Sequence, residues 1–152
     1  MRNLLHSSIS SNFISTGTGL KVHYLESKPQ NFNKKSPIAL LLHGFPELSF
    51  SWRKIMPGLT KAGFRVLAPD QRGYGKTLGG AKKFEDNLEE YNLFNLTIDI
   101  VSFLQNLDIK KVDLLVGHDA GSIVAGTSAL VREDIFKSVV MMSAPYNGVP
   151  KI

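Results

Sequence analysis

Residues 111–122, KVDLLVGHDAGS, decide the fold: an apolar run of strand length meets a Gly-x-Asp-x-Gly turn, and small residues after it can continue as a helix. Such a turn forces its central residue, Asp119, into a strained backbone conformation, and the flanking glycines let neighbouring segments come close. We expect Asp119 to stand exposed at a sheet edge, beside helix N–H groups that can hold an anion. The stretch therefore predicts a carboxylate nucleophile.

Length and composition indicate one ordinary globular domain. The chain has 152 residues, of which 43% are hydrophobic and 20% charged, enough for a core. It contains no run of about 18 apolar residues, and its first residues lack the apolar segment of a secretory signal. The absence of cysteine excludes disulfides, thiolate zinc sites and a cysteine nucleophile. We therefore expect a cytoplasmic protein that does not cross a membrane.

The positive charge raises the question of a nucleic-acid partner. The formal net charge is +5, and the pI is about 9.5. The lysines form scattered doublets, Lys34-Lys35, Lys82-Lys83 and Lys110-Lys111, with no interleaved aromatic residues. Solvated lysines usually have this pattern. We therefore predict no nucleic-acid binding.

Strands and helices alternate along the chain. The apolar patterns and turn signals predict strands at 12–16, 20–26, 37–42, 64–68, within 111–117 and at 136–142, and helices at 50–62, at 93–107 and after the central turn. A long loop covers 69–91, and no repeat or long polar linker divides the chain. This order predicts an α/β fold: a mostly parallel sheet of about six strands with helices on both faces. The function should lie at the carboxyl ends of the strands.

A second motif, His43-Gly44-Phe45-Pro46-Glu47, directly follows the strand at 37–42. A turn of this kind can aim the Phe45 N–H at a point shared with the Ala120 N–H. Two such donors form an oxyanion hole, which stabilises negative charge that develops on a reacting oxygen. The motif therefore predicts that Phe45 and Ala120 act together with Asp119.

With Pro69-Asp70-Gln71-Arg72-Gly73-Tyr74-Gly75, these motifs resemble the α/β-hydrolase superfamily, and within it the soluble epoxide hydrolases and their dehalogenase relatives, from about residue 13 to 150. Serine hydrolases of this superfamily carry a serine at the turn, where this chain has Asp119. The resemblance implies that Asp119 attacks a saturated carbon, and that a histidine-activated water, oriented by a second acid, cleaves the ester. It also implies a small apolar epoxide or related electrophile as substrate, and neither metal nor cofactor.

The residues beside the nucleophile favour an epoxide over a halide. Haloalkane dehalogenases usually have asparagine in place of Phe45 and tryptophan in place of Ala120, and both donate hydrogen bonds to the departing halide. Fluoroacetate dehalogenases have an arginine at the latter position, which binds the substrate carboxylate. Because neither Phe45 nor Ala120 has a donor side chain, epoxide opening is the preferred interpretation.

The resemblance also predicts residues that this sequence lacks. In the family the acid and the histidine follow the nucleophile, but all four histidines here, at 6, 23, 43 and 118, precede Asp119. The family's cap domain, with its two proton-donating tyrosines, would begin near the last strand. We therefore expect residues 1–152 to form a single partial α/β-hydrolase domain, truncated where the cap would begin and inactive alone. The sequence does not predict an oligomeric state.

Other interpretations remain open. The chain could be a related dehalogenase or a non-catalytic binding module of the same fold, whereas a dinucleotide-binding fold is disfavoured because no Gly-x-Gly-x-x-Gly follows a strand. Asp119 could instead cap a helix. For the remaining polar and aromatic residues we predict structural roles: His43 and His118 bonded to backbone, Asp70 and Arg72 fixing their loop through carbonyls, Tyr74 packing, Trp52 in the core, and Glu85, Asp86, Glu89 and Glu90 as a solvated patch without metal.

Overall fold

The computed structural model describes residues 5–80 and 88–144. The lysine doublet at 82–83, the acidic residues Glu85 and Asp86, and the loop after residue 144 lie outside these ranges. Within the described ranges one six-stranded sheet forms the centre of the fold. The strands are β1 (Ile9–Ser15), β2 (Lys21–Ser27), β3 (Ile38–Leu42), β4 (Arg65–Pro69), β5 (Leu114–His118) and β6 (Val139–Met142).

The strand order is β1-β2-β4-β3-β5-β6. β1 and β2 form an antiparallel hairpin, and β2 also runs antiparallel to β4. The four strands from β4 to β6 are mutually parallel. This arrangement confirms the predicted α/β fold class and brings the carboxyl ends of β3, β4 and β5 to one edge.

Helices cover both faces of the sheet. α2 (Leu93–Asn106) and α3 (Ala120–Val131) pack on one face, and α1 (Met56–Lys61) packs on the other with a 3-10 helix at Ser49–Lys54. Alternate residues of β3 point to the two sides, so that Leu40 and Leu42 join the first core and Ala39 and Leu41 the second. β3 is therefore buried on both faces, as its continuous apolar run predicts.

One predicted helix is wrong. The apolar stripe predicts a continuous helix at 50–62, but the structure has the 3-10 helix followed by α1, with Ile55 between them. Pro57 explains the break, because its ring clashes with the carbonyl of the preceding turn and it has no N–H to donate. The predicted end is correct: Gly63, at φ +98°, follows the last turn of α1.

The strand bounds also differ from the prediction at the two outer strands. β1 begins at Ile9 and ends at Ser15, where the sequence predicts 12–16. β6 begins at Val139, because Phe136 makes only an isolated bridge with Val112. In the described part of the chain no helix has the length and apolar character that a membrane span requires.

Candidate active site

Asp119 lies in the turn between β5 and α3. Its backbone has φ +52° and ψ −123°, a conformation that side-chain-bearing residues rarely adopt. The carboxylate is partly exposed at the carboxyl edge of the sheet. The structure therefore has the strained, exposed turn that the Gly-x-Asp-x-Gly pattern predicts.

Three glycines allow this turn to form. A β-carbon on Gly121 would overlap the carbonyl oxygens of Leu42 and His43, at the end of β3. A β-carbon on Gly44 would lie 2.5 Å from the Asp119 β-carbon. Gly117 would likewise overlap the backbone of Gly121. Since real β-carbons do not approach other atoms within 3.0 Å, the turn, β3 and α3 can meet only because these side chains are absent.

The predicted site residues come together at this turn. The Phe45 N–H donates to Asp119 Oδ1 at 2.8 Å. The backbone N–H groups of Phe45 first and then Ala120 lower the pKa of Asp119 below its ordinary value. Phe45, a residue that is 69% exposed, lies in the turn after β3 and is joined to Pro46 by a cis peptide bond.

The two histidines nearest Asp119 differ in their partners. His43 is fully buried: its Nε2 accepts the Gln71 N–H at 3.0 Å, and its Nδ1 donates to the Gly44 carbonyl at 3.0 Å. Burial lowers the pKa of His43, which favours the neutral ring these bonds require. His118 does not bond backbone through Nδ1 as we predict. That atom lies 3.0 Å from Glu47 Oε2, which links the end of β5 to the turn after β3.

Asp70 holds the neighbouring loops in place, as predicted. It is buried and accepts the Ser49 N–H at 2.8 Å and the Lys76 N–H at 3.0 Å, while His23 Nδ1 lies 2.7 Å from Oδ2. Burial alone would raise the pKa of Asp70, but the hydrogen bonds from Lys76 and Ser49 outweigh it and lower the pKa. Asp70 therefore joins β2, the start of the 3-10 helix at Ser49–Lys54 and the loop after β4.

Arg72 fixes its loop through carboxylates, and not through carbonyls as predicted. Its Nε and Nη2 donate to the two oxygens of Asp99 at 2.7 and 2.8 Å, a bidentate pair that is almost completely buried. Its Nη1 donates to Glu90 at 2.9 Å. The hydrogen bonds that Arg72 donates to Asp99 raise the pKa of Arg72. Glu90 is therefore an ion-pair partner instead of part of a solvated patch.

An apolar cleft of about 250 Å³ opens beside the turn that carries Asp119. Tyr74, Tyr91, Leu93 and Ile123 contribute to its walls, and Ala120 lies at its edge. The Tyr74 ring packs edge-on against buried His43, with centroids 4.9 Å apart, and burial, with the charge of Asp119, raises its pKa. Packing is thus one role of Tyr74, as predicted, and lining the cleft is another. Tyr91 was not predicted as a site residue, because it is far from the turn along the chain and no sequence motif connects the two.

Two further expectations concern Trp52 and metal. Trp52 is buried in the second core beside Met56, as its helical stripe predicts. Residues 5–80 and 88–144 contain no cluster of three or more histidine, aspartate or glutamate side chains placed to hold a metal ion.

Comparison with known proteins identifies the class. A family model described as alpha/beta hydrolase fold matches residues 37–150, and the chain belongs to this family. Epoxide hydrolase A of Mycobacterium tuberculosis is 41% identical over 110 residues, which are 72% of this chain and 32% of that protein. Bifunctional epoxide hydrolase 2 of Sus scrofa is 34% identical over 140 residues, 92% of this chain and 23% of the relative.

Solved structures give the same result. The crystal structure of an epoxide hydrolase from Vigna radiata superposes with a TM-score of 0.81 at 34% identity, over 95% of this chain and 42% of that one. The potato epoxide hydrolase I structure has a TM-score of 0.81 at 33% identity, over 95% and 43%. The proteins that the chain resembles are thus epoxide hydrolases, and the chain spans about a third of the first relative's length.

Proposed function

We propose that the chain carries the nucleophile and the oxyanion donors of an epoxide hydrolase site, with Asp119 attacking an epoxide carbon. The observation that carries the proposal is the hydrogen bond of the Phe45 N–H to Asp119 Oδ1 at 2.8 Å, in a turn whose neighbours Gly44 and Ala120 line the apolar cleft. Its lowered pKa keeps it ionised at neutral pH, as a nucleophile requires. The relatives named as epoxide hydrolases support the substrate class.

The hydrogen bond to Oδ1 supports different roles for the two carboxylate oxygens. Oδ2 bonds to a ring carbon as the ring C–O bond breaks, and the released oxygen takes up a proton from solvent. Oδ1 becomes the carbonyl oxygen of the ester. When water then adds to the carbonyl carbon and loses one proton to solvent, negative charge develops on Oδ1, where the N–H groups of Phe45 and Ala120 stabilise it. Collapse of this intermediate expels the diol oxygen, which takes the remaining water proton, and leaves one solvent oxygen in the Asp119 carboxylate.

The competing functions make different demands on this site. A dehalogenase of this fold uses side-chain donors to bind the departing halide, which the Phe45 ring and the Ala120 methyl group cannot provide. A non-catalytic binding module would use the cleft without forming a covalent bond to Asp119. A test for the ester therefore separates the binding module from the enzyme.

For the 152-residue chain by itself we propose accumulation of the ester without turnover. Residues 120–152 include no histidine, so no later histidine activates water for the second step. General acid or base catalysis typically contributes 10² to 10⁴ in rate. Ester cleavage should therefore be slower than ester formation with a reactive epoxide.

The test is covalent labelling of the 152-residue chain with styrene oxide. Intact-mass spectrometry should show the addition of one epoxide molecule, and peptide mapping should place a hydroxylamine-sensitive ester on Asp119. Asp119→Asn should give no such ester, because a neutral amide is a poor nucleophile. Asp108→Asn is the matched control, since Asp108 is also exposed with φ +55°. An unlabelled chain, or label that survives in Asp119→Asn, would favour the binding module.

An isotope experiment tests the same nucleophile in a longer protein that joins these residues to a later histidine. If Asp119 attacks carbon, a single turnover in ¹⁸O-water should give unlabelled diol, because the first oxygen comes from the carboxylate. Later turnovers should carry label. Label in the first turnover would instead indicate direct attack by water and would remove Asp119 from the nucleophile role.

A further inference from the structure

A basic groove lies at the edge of the sheet opposite the candidate active site. It has a volume of about 600 Å³ and is lined by residues 32–36, 38, 65, 107–111, 113 and 137. These residues lie in the loops that enter β3, β5 and β6 and at the first position of β4. Because parallel strands begin at a common edge, these loops meet there, roughly 15 Å from the strand ends that carry Asp119.

The groove brings together lysines that are far apart in sequence. Lys34-Lys35 lies in the loop before β3, and Lys110-Lys111 lies in the loop before β5; all four side chains belong to exposed residues. Along the sequence these doublets are scattered. In the fold they line the same concave surface, so their charges add.

The positive charge of the groove exceeds the negative charge in its lining. Six cationic side chains line it against two carboxylates, Asp108 and Asp113. Asp113 pairs with Lys137, and Arg65 pairs at 2.7 Å with Glu26, which lies outside the lining. Within the lining, Asp108 is therefore the carboxylate left to balance the two lysine doublets.

We infer that the basic groove binds a soluble anion with several linked phosphate groups. Lysine ammonium groups on flexible stems are suitable point charges for phosphate oxygens. Orthophosphate would engage one doublet, whereas a chain of linked phosphates can contact Lys34-Lys35 and Lys110-Lys111 at once. Because both doublets line one concave surface, a compact polyanion that enters the groove can neutralise their charges together; binding of nucleic acid or of a membrane surface is tested below as a contrary outcome.

The test is isothermal titration of the 152-residue chain with inorganic tripolyphosphate, compared with orthophosphate at matched ionic strength. Lys34→Gln/Lys35→Gln should weaken tripolyphosphate binding by roughly tenfold or more, since it removes two charge-assisted contacts. Lys54→Gln/Lys61→Gln is the matched control, because it removes the same charge from exposed lysines beside α1. The control should retain nearly all of the affinity.

Several results would overturn the inference. One is equal affinity for orthophosphate and tripolyphosphate, and another is an equal loss in the control variant, which would indicate a general charge effect. A third is binding of a single-stranded oligonucleotide or phosphatidylserine vesicles that depends on the doublets and is not displaced by tripolyphosphate. Labelling of Asp119 by styrene oxide should be unchanged in the doublet variants, so the two proposals can fail independently.

Discussion

Replacement of Gly121 by alanine tests whether close backbone contact stabilises the turn that carries Asp119. The added β-carbon would lie well within 3.0 Å of the carbonyl oxygens of Leu42 and His43. Neither oxygen belongs to a side chain that can rotate away, so β3 or α3 must shift. Overpacking typically costs about 1–3 kcal/mol, and two backbone contacts place this variant near the upper value. Lower entropy of the unfolded chain offsets about 0.4–1 kcal/mol, which leaves a net loss of about 2 kcal/mol.

Gly58→Ala is the control for the same chemical change. Gly58 lies in α1, and an added β-carbon there would meet no atom within 4 Å. The variant should therefore gain about 0.5–1 kcal/mol, the usual effect of alanine for glycine in a helix. The two substitutions are thus predicted to have opposite signs.

The assay is urea denaturation followed by far-ultraviolet circular dichroism. With a slope of about 1–3 kcal/mol per molar urea, Gly121→Ala should lower the midpoint by roughly 1 M, and Gly58→Ala should raise it slightly. Styrene oxide labelling of Asp119 should also slow in Gly121→Ala, because the shift separates Phe45 from Ala120. A Gly121→Ala chain that unfolds at or above the wild-type midpoint would refute the role of this contact.

Three further outcomes follow from the ionisable groups. The rate at which styrene oxide labels Asp119 should stay constant from pH 8 to about pH 5 and fall only below roughly pH 4, because hydrogen bonds lower the pKa of Asp119. Labelling rates measured across this pH range test the prediction. Arg72→Met should lower the free energy of unfolding by about 3 kcal/mol or more by leaving Asp99 buried and unpaired, and Arg72→Met/Asp99→Leu should regain most of the loss in urea titrations. The stabilising ionisation of Asp70, whose folded pKa is lowered, is present above about pH 4 and is lost as pH falls towards the folded pKa, so the difference from Asp70→Asn should shrink in acid denaturation.

Local patterns predict most of the fold and the strained turn that carries Asp119. The turn at Asp119 is predictable because its conformation depends on adjacent glycines, and β3 because its continuous apolar run suits a strand covered on both sides. The helix at 50–62 fails for an equally local reason: Pro57 interrupts an apolar stripe that alone indicates a continuous helix.

Pairings between distant residues could not be predicted in the same way. Arg72 and Asp99 are 27 positions apart, and nothing in either neighbourhood identifies the other as its partner. The link between His118 and Glu47 likewise depends on how the ends of β5 and β3 align. The proximity of the two lysine doublets could have been predicted, because each doublet precedes a predicted parallel strand and such strands begin at the same edge of the sheet.

The nucleophile turn has a consequence for how this site could change its chemistry. The missing β-carbons at Gly44, Gly117 and Gly121 leave room for its strained backbone, and the Phe45 N–H that bonds the Asp119 side chain belongs to the main chain. A substitution of Asp119 by serine can therefore leave the strained backbone and both N–H groups in place. The side chain at position 119 can thus be changed independently of the backbone that positions it. Directed evolution could therefore exchange one nucleophile for another without first redesigning the scaffold.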